Sequence, residues 1–277
     1  MIEVKIIEDS CAPSGARLTT FQLAYPRFIH AELMTHRVFS RNASSSRAIP
    51  VRKLIDQVKI NPACPLHWGK NQPGMQASSE VDVETQKHAK EIWLAAAASA
   101  IEQAEKMNTL GLHKQLVNRL LEPFLYISVI VSATEWENFF LLRNHADAQP
   151  EIFELAKAMK LAMERSDPRT ITEPKTVPLG WHLPYVTMEE RRLILDPLLL
   201  AKISAARCAR VSYLTHDGIV PEMDKDLQLF SRLVGSQPLH ASPVEHQAFP
   251  LATPDEWNKN FRGWYQFRTM VEQEFNT

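Results

Sequence analysis

One segment, residues 33–47, reads Leu33-Met34-Thr35-His36-Arg37-Val38-Phe39-Ser40-Arg41-Asn42-Ala43-Ser44-Ser45-Ser46-Arg47. It holds three arginines, one histidine and four serines, with no acid, glycine or proline. Guanidinium groups match phosphate or carboxylate oxygens in pairs, and serine hydroxyls and backbone N–H groups are also good phosphate ligands. The segment therefore predicts an anion site, in particular a site for a phosphate.

The same composition also fits a solvated, basic surface loop, because serine- and arginine-rich runs are often disordered. Two features of the flanking sequence favour an ordered segment instead. Residues 28–34 have an apolar periodicity that predicts a helix leading into it. At its other end, Ala48-Ile49-Pro50 predicts an exit into extended chain, because a proline disfavours the helical conformation in the residue before it.

The sequence around this segment predicts a sheet covered by helices. Alternating apolar residues predict strands at residues 2–6 and 17–25, and an apolar run predicts a buried strand at 126–131. Turn residues predict a turn at Asp217-Gly218, and a proline-rich stretch at 166–185 predicts a crossover. Helical patterns occupy residues 27–34, 83–107, 112–121, 135–143, 151–164, 187–200, 203–211 and 222–234. The expected fold class is α+β, with a mixed or antiparallel sheet packed against long helices.

Composition excludes several functional classes. The chain has 277 residues, is 45% hydrophobic and carries a net charge of −1, so it can bury a sizeable core. General nucleic-acid binding is disfavoured because such proteins carry a basic excess. Three widely spaced cysteines predict a reducing compartment without a disulfide framework. The first residues do not form a signal peptide and no apolar run is long enough for a bilayer, so we expect a cytoplasmic protein without membrane association.

The segment at 33–47 resembles the signature of the flavin-dependent thymidylate synthases. That family's pattern is Arg-His-Arg, then seven residues, a serine, and an arginine two positions later. His36-Arg37, Ser45 and Arg47 match this pattern. Thr35 replaces the first arginine, and Ala43 replaces an acid that usually lies two positions before the serine.

A second block supports the resemblance. Residues 138–143, Asn-Phe-Phe-Leu-Leu-Arg, followed by Ala148-Gln149, are similar to the family's second conserved block. Asn118-Arg119 stands where the family has another nucleotide-binding arginine. On its own, Arg143 at the end of an apolar helix would more often be a partner of the helix dipole.

The order of the motifs predicts a circular permutation. Family members usually begin with Ala-Arg-Val-Ser-Tyr and a Phe-Glu-His-like motif, whereas here residues 209–213 and Glu245-His246 lie near the other end. We expect one catalytic domain, residues 1–277, with the family core at 18–50, 112–165 and 203–250 and insertions or crossovers at 51–111 and 166–202. The alternative is an unrelated C-terminal helical extension.

The resemblance implies reductive methylation of dUMP to dTMP. Methylenetetrahydrofolate would supply the carbon, and FAD reduced by NADPH would carry the hydride. The implied assembly is a homotetramer with active sites at subunit interfaces, whose partners are small-molecule substrates (dUMP and the folate). No metal site is expected, since His30, His36 and His67 have no carboxylate at ligand spacing.

The resemblance also implies a role for each site residue. Arg143 is the catalytic candidate, because an arginine can stabilise charge developing on the pyrimidine. The substrate-binding residues implied are Glu32, Ser44, Ser45, Ser46, Arg47, Arg119 and Arg143. The cofactor-binding residues implied are His36, Arg37, Ser132, Thr134, Asn138 and His246.

Three departures from the family pattern leave other functions open. Thr35 and Ala43 remove charged groups, and Glu32 stands where a glutamine is usual. One alternative is hydroxymethylation of a pyrimidine nucleotide, and another is a non-catalytic flavin- or nucleotide-binding homologue. A third, a serine- and arginine-based nucleic-acid-binding protein, predicts strongly salt-dependent binding.

Overall fold

The computed structural model describes residues 1–213, 222–235 and 239–275, so the predicted turn at Asp217-Gly218 lies outside the described residues. The strands are β1 (Glu3–Cys11), β2 (Arg17–Pro26), β3 (Ser40–Ala43), β4 (Tyr126–Ala133), β5 (Arg169–Thr170), β6 (Ala248–Pro250), β7 (Trp257–Asn258), β8 (Phe261–Arg262) and β9 (Trp264–Gln266). The α-helices are α1 (His30–Met34), α2 (Val51–Ile60), α3 (Val83–Thr109), α4 (Lys114–Val117), α5 (Glu137–Arg143), α6 (Pro150–Arg165), α7 (Met188–Leu193), α8 (Pro197–Ala209), α9 (Met223–Val234) and α10 (Phe267–Phe275). Five 3₁₀ segments are described: Arg27–Ile29, Asn118–Phe124, Pro178–Gly180, Arg210–Tyr213 and Ser242–Glu245.

A five-stranded mixed sheet organises the chain, in the order β3-β4-β2-β1-β5. The pairs β1–β2, β2–β4 and β3–β4 are antiparallel, and β5 lies parallel to β1. Two small antiparallel pairs, β6–β9 and β7–β8, accompany it. The predicted α+β class with a mixed sheet and long helices is confirmed.

The alternation of β4 explains how the sheet is covered on both sides. Val129 and Val131 pack in one cluster with Leu155 and Met159 of α6. The intervening Ile130 packs on the opposite face, against Cys208 at the end of α8. Because successive strand residues point to opposite faces, β4 is apolar on the face of Val129 and Val131 and carries Ser128 and Ser132 beside Ile130 on the other.

The long helix α3 belongs to a separate cluster. Ala97 and Ile101 of α3 pack with Leu54 of α2 and with Val117 of α4. The Asp82 side chain caps the start of α3 by accepting a hydrogen bond from the Thr85 N–H. None of the helices in the described part of the chain is long and apolar enough to cross a membrane.

Several sequence predictions of local structure were wrong. Pro50 does not lead into extended chain, because Val51–Ile60 is a helix and Pro50 immediately precedes it, a position in which proline is tolerated. The helix predicted at 112–121 is the short α4 followed by a 3₁₀ segment that contains Pro123. The helix predicted at 187–200 is interrupted, because Asp196 caps the new helix α8 through the N–H groups of Leu198 and Leu199. The stretch 166–185 includes β5 within the expected crossover.

Candidate active site

The segment at residues 33–47 is part of the sheet and is not a solvated loop. It passes from the end of α1 through a turn into β3, whose residues Ser40 and Ala43 pair with Ser132 and Val129 of β4. Phe39, 1% exposed, anchors the start of β3 by packing its ring 4.7 Å from Trp136 and 5.4 Å from Phe139. The two ends of β3 therefore present the flanking polar residues at fixed positions.

Arg143, the last residue of α5, folds back onto the beginning of this segment. Its Nε donates a hydrogen bond to His36 Nε2 over 3.2 Å, and its Nη2 donates to Thr35 Oγ1 over 3.2 Å. Its Nη1 lies 3.5 Å from Glu32 Oε2. We call Glu32, Thr35, His36 and Arg143 the Arg143 cluster. A guanidinium carries five N–H donors, so this arrangement fixes the group and leaves two donors for a ligand.

His36 in this cluster is neutral. It is 6% exposed, and its ring stacks 5.6 Å from Phe39 and meets Phe139 edge-on at 5.0 Å. Burial lowers the pKa of His36, and the neighbouring Arg143 and Arg41 lower that pKa further. Because Nε2 accepts a hydrogen bond from Arg143, the ring proton must lie on Nδ1. The cluster therefore carries its positive charge on Arg143.

Thr35 has a role that the sequence did not reveal. Its hydroxyl donates to the Glu32 carbonyl oxygen over 2.7 Å and accepts from Arg143. The family's usual arginine at this position would instead bring a second cation towards Arg143. The threonine hydroxyl instead accepts a hydrogen bond from the Arg143 guanidinium.

A second group forms beyond the other end of β3, around Glu122. Its Oε1 lies 2.5 Å from Ser46 Oγ, 2.9 Å from Arg119 Nη1 and 3.1 Å from Arg27 Nη2. Its Oε2 lies 3.1 Å from the same Arg119 nitrogen. We call Arg27, Ser46, Arg119 and Glu122 the Glu122 cluster. Two hydrogen-bond donors and one further guanidinium thus converge on one carboxylate oxygen.

The loop that holds Ser46 is fixed by buried hydrogen bonds. The fully buried Asn118 donates its amide to the carbonyl oxygens of Ser46 and Ile49, over 2.6 and 3.0 Å. Lys114 Nζ donates to the Ala48 carbonyl oxygen over 2.8 Å. The sequence placed Asn118-Arg119 at a nucleotide site, and in the structure Asn118 supports the loop while Arg119 reaches the Glu122 carboxylate.

The two clusters lie at opposite ends of the same segment. The four residues of β3 separate those ends by about 10 Å of backbone. The segment from Arg27 to Glu32, 3₁₀ followed by α-helix, covers a similar backbone distance of roughly 8–10 Å.

The remaining predicted substrate and cofactor residues near β3 differ in exposure. Ser44 is buried, and its Oγ accepts a hydrogen bond from the Ser128 N–H over 3.1 Å. Ser45 is half-buried, whereas Arg37, Arg47 and Asn138 are exposed. Within the described residues the side chains of these three make no hydrogen bond or ion pair. Arg47 is therefore not brought together with Arg119 or Arg143 by internal contacts.

Ser132 and Thr134 lie at the end of β4, and His246 contacts Ser132. Thr134 Oγ1 accepts from the Arg262 N–H over 3.0 Å, at the end of β4. Ser132 Oγ is 2.8 Å from His246 Nδ1, and both residues have no exposed surface. Ser132 follows Val131 in β4 and so faces away from the core in which His36 packs. Direct contact of Ser132 or His246 with a bound flavin would require the surrounding side chains to move.

Ser132 and His246 belong to a buried chain of hydrogen bonds. Ser10 Oγ lies 2.9 Å from His182 Nδ1, and His182 Nε2 lies 2.8 Å from Thr20 Oγ1. The chain continues over 2.6 Å from Thr20 Oγ1 to Ser132 Oγ and then to His246. Burial lowers the pKa of His246 to about 3 and places the pKa of His182 well below its usual value. Both imidazoles are therefore neutral near pH 7.

The chain is similar to one protein family and to solved structures of one enzyme. The model of the family described as "Thymidylate synthase complementing protein" matches residues 17–169. A crystal structure of the UMP/dUMP methylase PolB from Streptomyces cacaoi bound with 5-Br dUMP is 15% identical, covers 60% of this chain and 90% of that chain, and superposes with a TM-score of 0.50. The same enzyme bound with 5-Br UMP is 16% identical, covers 60% and 89% of the two chains, and gives a TM-score of 0.47. At this identity the likeness is one of fold. No curated protein matches the chain.

Proposed function

We propose that this chain, which belongs to the thymidylate synthase complementing protein family, is a thymidylate synthase that converts dUMP to dTMP by reductive methylation. The observation that carries the proposal is the contact of Arg143 with His36, 107 residues apart in sequence. It joins the two blocks that carry the family resemblance at one place. The proposed co-substrates are methylenetetrahydrofolate and NADPH, and the proposed cofactor is FAD.

In this proposal Arg143 polarises the pyrimidine. The two N–H groups that its internal partners leave over would donate to a carbonyl oxygen of the ring, where negative charge develops as a nucleophile or hydride adds. Glu32, Thr35 and neutral His36 hold the guanidinium in place before the substrate binds. Such preorganisation is effective because little reorganisation is needed during the reaction.

The phosphate of the nucleotide is assigned to the other end of the segment. Arg119 is half-exposed, with 51% of its side chain accessible, and Ser46 lies beside it on the Glu122 carboxylate. Arg47 adds an exposed guanidinium next to Ser46 in sequence. The roughly 10 Å of backbone between the clusters supports binding of the ring by one and the phosphate by the other.

The flavin assignment fits some of the predicted residues. FAD, when bound, supplies the hydride and relays electrons from NADPH. Arg37 and Asn138 offer exposed donors beside the Arg143 cluster, and a guanidinium suits the diphosphate of FAD. Ser132 and His246 have no exposed surface, and half-buried Thr134 accepts from the Arg262 N–H, so the assignment of these three residues to the flavin stays a prediction.

The assembly and the chain order are also proposals. We propose a single, circularly permuted catalytic domain, supported by the packing of α8 on the same sheet that holds β3 and β4. We further propose a cytoplasmic homotetramer with shared sites. The exposed Leu141 and Leu142, 73% and 52% accessible, lie next to Arg143 and support burial of this surface by a neighbouring copy.

The direct test is the absorbance spectrum of the purified protein, followed by an assay with dUMP, methylenetetrahydrofolate and NADPH. We expect a flavin spectrum that changes when dUMP is added, and formation of dTMP. A 5-hydroxymethyl product would favour the alternative motivated by Thr35 and Ala43. A flavin spectrum without turnover on dUMP or UMP would favour the non-catalytic alternative. Absence of flavin would contradict the proposal.

The phosphate assignment predicts the effect of Arg119→Met. Hydrogen bonds to charged groups contribute about 1.5–3 kcal/mol, so we expect KM for dUMP to rise about ten- to one-hundred-fold, with a smaller change in kcat. Steady-state kinetics measure both constants. Arg52→Met is the matched control, because Arg52 is 78% exposed on α2 and pairs with Asp56. Equal KM values for Arg119→Met and wild type would refute the assignment.

A further inference from the structure

We propose that Glu122 occupies the position taken by the nucleotide phosphate and is displaced when the phosphate binds. Glu122 would then be a residue that sets the affinity and specificity of the anion site. The inference rests on the proposed function for the identity of the ligand, dUMP. Its physical basis, a carboxylate held by anion-binding donors, is independent of the reaction.

The first argument is charge. Residues 33–47 contain three arginines and no acid, and Glu122 contacts Ser46 of this segment while it pairs with Arg27 and Arg119, which lie outside it. Glu122 provides a carboxylate from a different element, the 3₁₀ segment Asn118–Phe124. Ser46 and Arg119 donate hydrogen bonds to it, and Arg27 forms an ion pair with it. The carboxylate therefore stands in for an anion at this end of the segment.

The second argument is geometry. Two hydrogen-bond donors, Ser46 Oγ and Arg119 Nη1, meet at the single oxygen Oε1 over 2.5 and 2.9 Å, and Arg27 Nη2 lies 3.1 Å from the same oxygen as an ion-pair partner. These distances lie in the range of charge-assisted hydrogen bonds, which phosphate oxygens also accept from arginine. The phosphate monoester offers three such oxygens, so the same donors can transfer to it without moving far.

The third argument is accessibility. The Glu122 side chain is 21% exposed and Arg119 is 51% exposed, so a ligand can reach the pair from solvent. A carboxylate carries one negative charge, whereas a phosphate monoester carries close to two at pH 7. A dianion therefore competes for Arg27 and Arg119 better than Glu122 does. A nucleoside without a phosphate has no group that can displace the carboxylate.

Glu122→Gln tests this inference. Glutamine keeps the size of the side chain and an oxygen that accepts from Ser46, but it removes the competing charge. We expect the Kd for dUMP, measured by isothermal titration calorimetry, to fall about ten-fold, which corresponds to about 1.4 kcal/mol. Inorganic phosphate, titrated as a second probe, should also bind with a lower Kd to this variant than to wild type. An unchanged or weaker affinity for both ligands would mean that Glu122 only supports the donors, and would overturn the inference.

Glu190→Gln is the matched control. Glu190 has the same 21% exposure, and its carboxylate also holds one hydroxyl, Thr187 Oγ1, and one guanidinium, Arg207. We expect no change in dUMP affinity for this variant. If Glu190→Gln increased the affinity for dUMP as much as Glu122→Gln does, the effect would be one of net charge, and the inference would be refuted.

A crystal structure of the wild-type protein with dUMP gives a second readout that does not depend on a folded variant. We expect Arg119 on the phosphate and the Glu122 side chain turned away. A bound phosphate beside an intact Glu122–Arg119 pair would overturn the inference.

If Arg119→Met weakens dUMP binding but Glu122→Gln does not strengthen it, the inference alone fails. If dUMP binds more tightly to Glu122→Gln yet neither protein forms dTMP, the proposed function alone fails.

Discussion

Replacing Arg143 with glutamine is expected to lower kcat/KM for dUMP by about 10²–10³-fold, the loss typical of removing one donor that stabilises developing charge. Glutamine can reach Thr35 or Glu32, but it carries no positive charge to polarise the ring. Most of the effect should appear in kcat, because the contact strengthens as charge develops in the transition state. Steady-state kinetics with saturating cofactor measure the two constants separately.

Arg165→Gln is the control for this variant. Arg165 is likewise the last residue of a helix, α6, and is exposed. Its replacement removes a charge that interacts with the helix dipole, and we assign no other role to this residue. We expect near-wild-type kinetics. If Arg143→Gln lowers thermal stability but leaves kcat unchanged, Arg143 is a dipole partner of α5 and the catalytic assignment is wrong.

Local pattern was sufficient for the strands and helices with a regular apolar period. Leu23, Val129 and Val131 belong to predicted strands and lie in the core. The strand β3 was missed because Ser40, Arg41 and Asn42 have little intrinsic strand preference. Pairing with β4 and the burial of Phe39 hold it in place, and both are tertiary effects.

Site residues were predictable only where the family resemblance reached them. His36, Arg119 and Arg143 were singled out, but neither the contact between His36 and Arg143 nor the partner of Arg119, Glu122, was predicted. Glu122 lies three residues after Arg119, a spacing that brings side chains together on a helical turn, so that pair had a local signal. The contact of Glu122 with Ser46 spans 76 residues, and nothing local to either residue encodes it.

The family resemblance implies that His246 binds the cofactor, and that assignment stays a prediction, whereas His182 was not singled out from the sequence. In the structure Thr20 and Ser132 link the two rings by hydrogen bonds, and His246 Nε2 is buried without a hydrogen-bond partner among the described residues. Their segments, residues 182–183 and 245–247, pack against the sheet from outside the region matched by the family model. The chain of hydrogen bonds therefore ties the C-terminal part of the protein to β2 and β4.

This buried chain makes the stability of the protein sensitive to acid. The folded-state pKa of His246 is about 3, whereas an unfolded histidine has a pKa of about 6.5. Between these values the unfolded chain binds more protons, so the free energy of unfolding falls as the pH drops from about 6.5 towards 3. At about pH 4.5 the loss for this one residue is about 2–3 kcal/mol relative to pH 7.5.

His246→Gln is expected to reduce that loss. The variant should be less stable than wild type at pH 7.5, because it disturbs a buried hydrogen bond to Ser132. The free energy of unfolding, measured with urea at both pH values, should fall between pH 7.5 and pH 4.5 by about 2–3 kcal/mol less in this variant than in wild type. The control is His88→Gln, at a histidine that is 74% exposed on α3, and its free energy of unfolding should fall by as much as that of wild type. An equal decrease in His246→Gln and wild type would mean that His246 is not the buried neutral group, and the acid sensitivity would then belong to His182 or to the carboxylates.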